Sequence, residues 1–221
     1  MRDHFHEELD AISDQLVEMT RLAGSAMSRA STALLDADLD LAESVIAADE
    51  AVDRLQRDLE QRAFDLLARQ QPVATDLRIL VTSLRMSADL ERMGDLARHV
   101  AKVARLRYPE SAVPAELRGT LVEMAQVASR IVSKAGSVIA SKDVTAALEL
   151  ERDDDDMDRL HRALFTALLD DSWSHGIEPA IDVTLVGRYY ERFADHAVSV
   201  ARRVVYLVTG ERADEYVPSA H

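Results

Sequence analysis

Hydrophobic residues recur every three or four positions along most of the chain, which is the periodicity of amphipathic helices. This pattern predicts a first helix over about 7–35, a second over about 39–70 with Asp38 as its N-cap, and a third from Pro72 to about 107. Three further helices are predicted over about 115–140, 143–171 and 179–208. Pro109 and Pro114 mark the linker between the two sets of helices.

The two halves of the chain resemble each other. Residues 16–19 recur as residues 121–124, and residues 53–55 recur as residues 158–160, in both cases 105 positions later. In the third helix of each half the offset is 100 positions, which one deletion of five residues explains. We therefore predict an all-α fold of two pseudo-repeated three-helix bundles, with repeats at 1–110 and 111–210 and a disordered tail at 211–221.

Composition agrees with this fold class. The chain has 7 glycines and 5 prolines in 221 residues, about half the usual share, so long helices with few turns are favoured over a sheet. It has no cysteine, and its formal net charge of −14 disfavours direct binding to nucleic acid. Because no apolar run is long enough to cross a bilayer and the charged N-terminus lacks the core of a signal peptide, we expect a cytoplasmic protein.

Acidic residues at matched positions are the candidate chemistry. Each repeat has two pairs of carboxylates spaced four residues apart, so that both members of a pair share a helix face. In an antiparallel hairpin, residues equally far from the turn lie level. The two pairs of the first repeat centre on residue 72, and those of the second centre on 174.5, within residues 173–176. The eight predicted ligands are Asp49, Asp53, Glu91, Asp95, Asp154, Asp158, Glu191 and Asp195.

Four level carboxylates repel one another unless a cation or protons neutralise them, and oxygen ligands suit hard or borderline cations. The alternative is a set of ordinary surface salt bridges with the neighbouring arginines, namely Arg54, Arg92, Arg159 and Arg192. The small residues Gly94 and Ala194, just before two of the aspartates, would allow either close helix packing or a cluster. We find no Glu-x-x-His pair of a di-iron centre and no catalytic constellation.

Three segments carry a resemblance to a known family. They are residues 71–80 (QPVATDLRIL), 89–100 (DLERMGDLARHV) and 189–210 (YYERFADHAVSVARRVVYLVTG). Together they resemble the PhoU family of cytoplasmic phosphate-signalling proteins, and the resemblance extends over about 7–210. The two Asp/Glu-x-x-x-Asp motifs that the family has in each repeat fall on the eight carboxylates named above.

The resemblance implies a negative regulator of the phosphate-starvation response that is not an enzyme. It implies an adaptor between the ATPase subunit of a phosphate ABC transporter and a sensor histidine kinase, peripheral to the membrane through these partners, and a homodimer. It also implies metal clusters, with Fe, Mg, Mn or Zn as the candidate ions. Two alternatives stay open: a carboxylate-bridged metal enzyme or metal-storage bundle, and a purely structural bundle that would leave the eight carboxylates unexplained.

Overall fold

The computed structural model describes residues 2–216, and within this range the chain is helical and contains no strand. The helices are α1 (Arg2–Asp36), α2 (Leu39–Ala48), α3 (Glu50–Gln70), α4 (Thr75–Arg107), α5 (Arg118–Ser141), α6 (Val144–Leu168) and α7 (Ile177–Thr209). A short 3₁₀ helix, Ala115–Leu117, precedes α5. The predicted all-α architecture of two repeated sets of three helices is confirmed, with the second helix divided into α2 and α3.

The second helix of each repeat begins with the same aspartate cap. Asp38 accepts a hydrogen bond from the backbone N–H of Leu41 at 2.9 Å, as predicted, and Asp143 accepts one from Ala146 at 3.0 Å. Each carboxylate satisfies one of the N–H groups that a helix start leaves without a partner. In the first repeat this helix is interrupted at Asp49, whose φ of −56° and ψ of −37° remain helical.

The first hairpin turn differs from the prediction. Helix α4 begins at Thr75, so Pro72 lies in the loop and does not start the helix. The backbone leaves the helical path at Gln71, with φ of 46°, and again at Ala74, with φ of 47°. These two residues with positive φ allow the chain to reverse before the new helix starts. In the second repeat Pro179 lies in the first turn of α7, where its missing N–H costs little.

The two repeats pack against each other and share one continuous apolar core. Helix α1 contacts α4 of its own repeat and α5 of the other, and α4 contacts α7. A Cβ added at Gly24 would lie 3.0 Å from Val132 Cγ1, and one added at Gly136 would lie 2.6 Å from Thr20 Oγ1. These two glycines thus allow α1 and α5 to approach closely. The repeats are two structural units within one body.

The linker and the C-terminal segment both contact this body. The linker contains a cis peptide bond between Tyr108 and Pro109. The tail predicted from residue 211 onward is described as far as residue 216, and in this part Ala213 and Tyr216 pack against the core. Residues 217–221 lie outside the described range. Among the helices of residues 2–216, none is both long enough and apolar enough to cross a membrane.

Candidate functional site

The structure brings the four predicted carboxylates of the first repeat onto one face. Asp49 lies at the junction of α2 and α3, and Asp53 follows it in the first turn of α3. Glu91 and Asp95 lie opposite on α4. The charges of Asp53 and Asp95 act on Asp49, and those of Asp95 and Asp53 act on Glu91. The hairpin argument therefore placed these residues in the correct register.

Burial and mutual repulsion make these carboxylates reluctant to ionise. Asp49 has only 7% of its surface exposed, and burial, followed by Asp53 and Asp95, raises its pKa against the opposing effect of Arg98. The pKa of Glu91 is raised by burial first and then by Asp95. A cation near this face would favour the ionised forms.

Arg98 provides such a cation from within the chain. Its Nη1 donates to Asp49 Oδ2 and its Nη2 donates to Asp95 Oδ1. Arg92 also donates to Asp95, with 3.0 Å between Nη1 and Oδ2. Sequence reasoning considered Arg92 but missed Arg98. The sequence did contain a sign of this contact: Arg98 lies seven residues after Glu91 and three after Asp95, which places all three on the same face of α4.

The second repeat has the same four carboxylates without this guanidinium. Asp154 and Asp158 are on α6, and Glu191 and Asp195 are on α7. Burial, followed by the charges of Asp195, Asp158 and Glu191, raises the pKa of Asp154 to about 6. Within residues 2–216 no basic side chain forms an ion pair with Asp154. The residue 100 positions after Arg98 is Val198, which is buried.

Arginines contact two of the other acids of the second repeat, Glu191 and Asp195. Arg188 Nη1 donates to Glu191 Oε2 at 2.5 Å, and Arg192 Nη1 lies 3.7 Å from Asp195 Oδ2. Arg159 pairs with Asp156, which is not one of the predicted ligands. The salt-bridge alternative thus describes part of both faces, but it leaves Asp154 without a countercharge.

The side chains as placed do not form a ready metal shell. In the described part of the chain, no three or more histidine and acidic side chains are close enough to hold one ion together. The oxygen donors of both faces fit a hard cation chemically. In the first repeat an ion would have to displace Arg98, whereas in the second the acids need only turn towards one another. The eight carboxylates remain predicted ligands.

The two histidines near these faces have structural contacts. The ring of His99 stacks on Tyr189, with ring centroids 5.3 Å apart. His196 Nδ1 lies 3.0 Å from Asp89 Oδ1. Both contacts link α4 with α7 and therefore connect the two repeats.

Asp89 is the centre of a second polar cluster that sequence reasoning did not single out. Besides His196, it accepts hydrogen bonds from Ser199 Oγ at 3.1 Å and from Arg203 Nε at 2.7 Å. Burial alone would raise the pKa of Asp89, but the bonds from His196, Arg203 and Ser199 outweigh it and hold the pKa below its usual value. The cluster fixes an ionised carboxylate between the repeats.

Comparisons with known proteins give one family. The pattern of the PhoU domain matches residues 16–104 and again residues 121–204. The chain is 52% identical over 210 residues to the phosphate-specific transport system accessory protein PhoU homolog 2 of Mycobacterium tuberculosis, covering 95% of this chain and 99% of that one. It is 49% identical to PhoU homolog 1 of Mycobacterium leprae over the full length of both chains.

Solved structures give the same answer. The crystal structure of PhoU from Pseudomonas aeruginosa superposes with a TM-score of 0.85 at 30% identity, covering 94% of this chain and all of that one. The phosphate transport system regulatory protein PhoU from Streptococcus pneumoniae superposes with a TM-score of 0.84 at 27% identity, covering 94% and 98%.

Proposed function

Because the chain belongs to the PhoU family, we propose that it is a regulator of phosphate uptake and homeostasis and that it represses the phosphate-starvation response while phosphate is plentiful. One observation supports this most directly. Over nearly its full length, including both repeats, the chain matches proteins whose names describe accessory and regulatory components of a phosphate transport system.

The proposed action is that of an adaptor. Its partners would be the ATPase subunit of a phosphate ABC transporter and a sensor histidine kinase, which would bring a cytoplasmic protein to the membrane surface, and the protein would act as a homodimer. Long helices around one continuous core support this role because they offer large rigid faces. The acidic surface, with a net charge of −14, supports protein partners over nucleic acid.

Regulation of this kind requires no catalysis. The relatives are named as accessory and regulatory proteins, and the geometry supports binding better than turnover. The carboxylate faces combine acids with arginines but present no nucleophile with an adjacent base. We therefore propose that the protein is not an enzyme.

We also propose that the carboxylate faces bind metal ions, and that the second repeat binds more tightly than the first. The support is the difference around Asp154 and Asp49: the former has no basic partner within residues 2–216, and the latter is paired with Arg98. An ion at the second face would be held by oxygens of Asp154, Asp158, Glu191 and Asp195. Mg, Mn, Fe and Zn are the candidates.

A gene deletion tests the regulatory proposal. Deleting the gene should raise transcription of phosphate-uptake genes in phosphate-rich medium, and a plasmid copy should restore repression. Any second PhoU-type gene of the host should be deleted in the same strain, so that redundancy does not hide the effect. Unchanged transcription in the double deletion would contradict the proposal.

Co-purification tests the adaptor proposal separately. The tagged protein from phosphate-replete cells should retain the transporter ATPase and the sensor kinase, and a tagged unrelated helical protein serves as control. If transcription rises after deletion but neither partner is retained, the regulatory role stands and the adaptor role fails.

A further inference from the structure

An arginine-rich groove adjoins the Asp89 cluster, since Ser199 and Arg203 of that cluster line it. Its cavity volume is about 600 Å³, within the range of pockets that hold small organic ligands. Helices α4, α6 and α7 form its walls, and the segment after α7 closes one end. Four arginines line it in a protein with a net charge of −14: Arg85, Arg202, Arg203 and Arg212.

The groove has two acidic residues against its four arginines, and each acid forms an exposed ion pair with one of them. Glu151 accepts from Arg202 Nε at 2.5 Å, and Asp214 accepts from Arg212 Nε at 3.1 Å. In both pairs each side chain is at least 40% exposed. Exposed pairs of this kind contribute little to stability, so an incoming anion can displace the carboxylates at low cost.

The remaining two arginines are available for a ligand. Arg203 is anchored through its Nε to Asp89, which leaves its terminal nitrogens without a hydrogen bond in the described part of the chain. Arg85 is exposed and forms no ion pair within residues 2–216. A guanidinium that is held through its Nε and keeps its terminal N–H groups unbonded can donate these groups to an anion. The hydroxyl groups of Thr82, Ser199 and Tyr206 also line the groove.

The residues of the groove are not repeated at the equivalent positions of the other repeat. On the corresponding face of the other repeat, 100 positions away, Arg203 is replaced by Val103 and Tyr206 by Leu106, while Arg85 corresponds to Leu185. Leu106 and Leu185 are exposed there. Of the three arginines on α4 and α7 that line the groove, only Arg202 has a basic counterpart, Lys102, so the grouping at these positions is not repeated on the other face.

We propose that this groove binds a small molecule that carries at least two phosphate groups, such as inorganic pyrophosphate or a nucleoside triphosphate. Arginine donors in a planar fork match the oxygens of phosphate groups. Four guanidiniums line the 600 Å³ groove, and two or more linked phosphate groups offer them more oxygens and more negative charge than one orthophosphate does. A multiply charged ligand also competes better than a single carboxylate for Arg202 and Arg212. The proposal does not depend on the regulatory role.

Calorimetric titration of the full chain tests the proposal. The protein is first treated with EDTA, so that metal ions on the carboxylate faces cannot bind the phosphates. The probes are pyrophosphate, ATP and orthophosphate, with sulfate at equal ionic strength as a control for general anion binding. We expect pyrophosphate and ATP to bind about tenfold or more tightly than orthophosphate and sulfate.

Charge-neutralising variants locate the site. Arg85→Gln and Arg202→Gln should each weaken pyrophosphate binding about tenfold or more. The matched control is Arg130→Gln, an exposed arginine of α5 that pairs with Asp156 and does not line the groove. It should change the affinity less than twofold. Arg85 has no partner in the described structure, so its variant carries the test even if Arg202→Gln unfolds.

Three results would overturn the proposal. One is the absence of binding by both pyrophosphate and ATP. Another is equal weakening by Arg85→Gln and Arg130→Gln, which would indicate unspecific attraction. The third is orthophosphate binding as tightly as pyrophosphate, which would refute the requirement for two phosphate groups.

Discussion

Val198 on α7 occupies the position in the second repeat that Arg98 occupies on α4 in the first. Arg98 bridges Asp49 and Asp95, whereas Val198 is buried and leaves Asp154 without a countercharge within residues 2–216. At this position one repeat thus has a guanidinium that bridges two carboxylates of its acidic face, and the other has an apolar side chain. This difference leads to the first two predictions.

Removing the bridging arginine should destabilise the metal-free protein. Arg98→Leu leaves the buried Asp49 beside two other carboxylates, and we expect a loss of about 2–3 kcal/mol in the free energy of unfolding. Urea denaturation at neutral pH measures it. The control is Arg92→Leu, whose side chain is exposed and pairs with the same Asp95, and its loss should stay below about 1 kcal/mol. Equal losses would show that Arg98 has no special role.

Metal content should depend mainly on the second repeat. Glu191→Gln with Asp195→Asn should remove most of the metal bound by protein purified without chelator and loaded with Mg, Mn or Fe. The matched pair, Glu91→Gln with Asp95→Asn, should remove less, because Arg98 already pairs with Asp49 and Asp95 of that face. Elemental analysis of both variants beside the wild type decides the point. Equal metal in all three proteins, or none in the wild type, would refute the sites.

The same variants test the repulsion argument. Without metal, the second-repeat variant should be no less stable than the wild type, because removing two charges relieves repulsion on Asp154. If these acids act only as salt-bridge partners, stability should fall slightly, by up to about 1 kcal/mol, through loss of Arg188 and Arg192 contacts. Thermal melting after EDTA treatment separates the two outcomes.

Alanine substitution should distinguish the helical glycines. A Cβ at Gly94 would lie 3.5 Å from Asp49 Oδ1 and from the Val52 methyl groups, an ordinary contact. Gly94→Ala should therefore be neutral or stabilising by about 0.5–1 kcal/mol, the usual gain of alanine over glycine in a helix. Gly136→Ala should destabilise by about 1–3 kcal/mol, because its Cβ would collide with Thr20. Denaturation of the two variants checks this, and a large loss at Gly94 would contradict it.

Acid should weaken the protein through His161. Burial first, and then the charge of Arg188, lower the pKa of His161 against the opposing effect of Asp158. Its Nε2 is buried and has no hydrogen-bond partner among residues 2–216. The unfolded chain therefore takes up this proton at a higher pH than the folded chain does. Stability from this residue is complete above the unfolded pKa of about 6.5 and falls as the pH drops below it.

The measurement is unfolding free energy between pH 7.5 and 5 for wild type and His161→Gln. The wild type should lose more stability over this interval than the variant, because the variant has no imidazole to protonate. His175→Gln is the control, since that histidine is exposed and pairs with Glu116. If His161→Gln loses as much unfolding free energy between pH 7.5 and 5 as the wild type does, His161 is not the cause of the acid sensitivity.

The register of the carboxylates was predictable, and their neighbours were not. Counting outward from the turn placed Asp49 opposite Asp95 because almost unbroken helices keep a constant rise. The preference of proline for the first position of a helix misplaced the start of α4, because Gln71 and Ala74 both have positive φ and extend the loop to residue 74. Arg98 was missed because its repeat counterpart is a valine, so the repeat gave no signal there.

The contacts between repeats were beyond sequence reasoning for a different reason. Asp89 receives His196, Ser199 and Arg203 from a helix more than 100 positions away. Periodicity shows which face of each helix is buried, but not which face of another helix covers it. The arginine groove depends on the same packing, and the linear sequence disperses its four arginines over α4, α7 and the segment after α7.

Because the two repeats belong to one chain, the residues on their equivalent faces can differ. In a symmetric pair of identical chains, every substitution appears on both equivalent faces, so a basic groove on one side would be accompanied by a basic groove on the other. A single polypeptide removes this constraint. Here Arg203 and Tyr206 line a groove, whereas the equivalent positions of the other repeat hold the buried Val103 and the exposed Leu106, so equivalent positions of an almost symmetric scaffold can carry different chemistry.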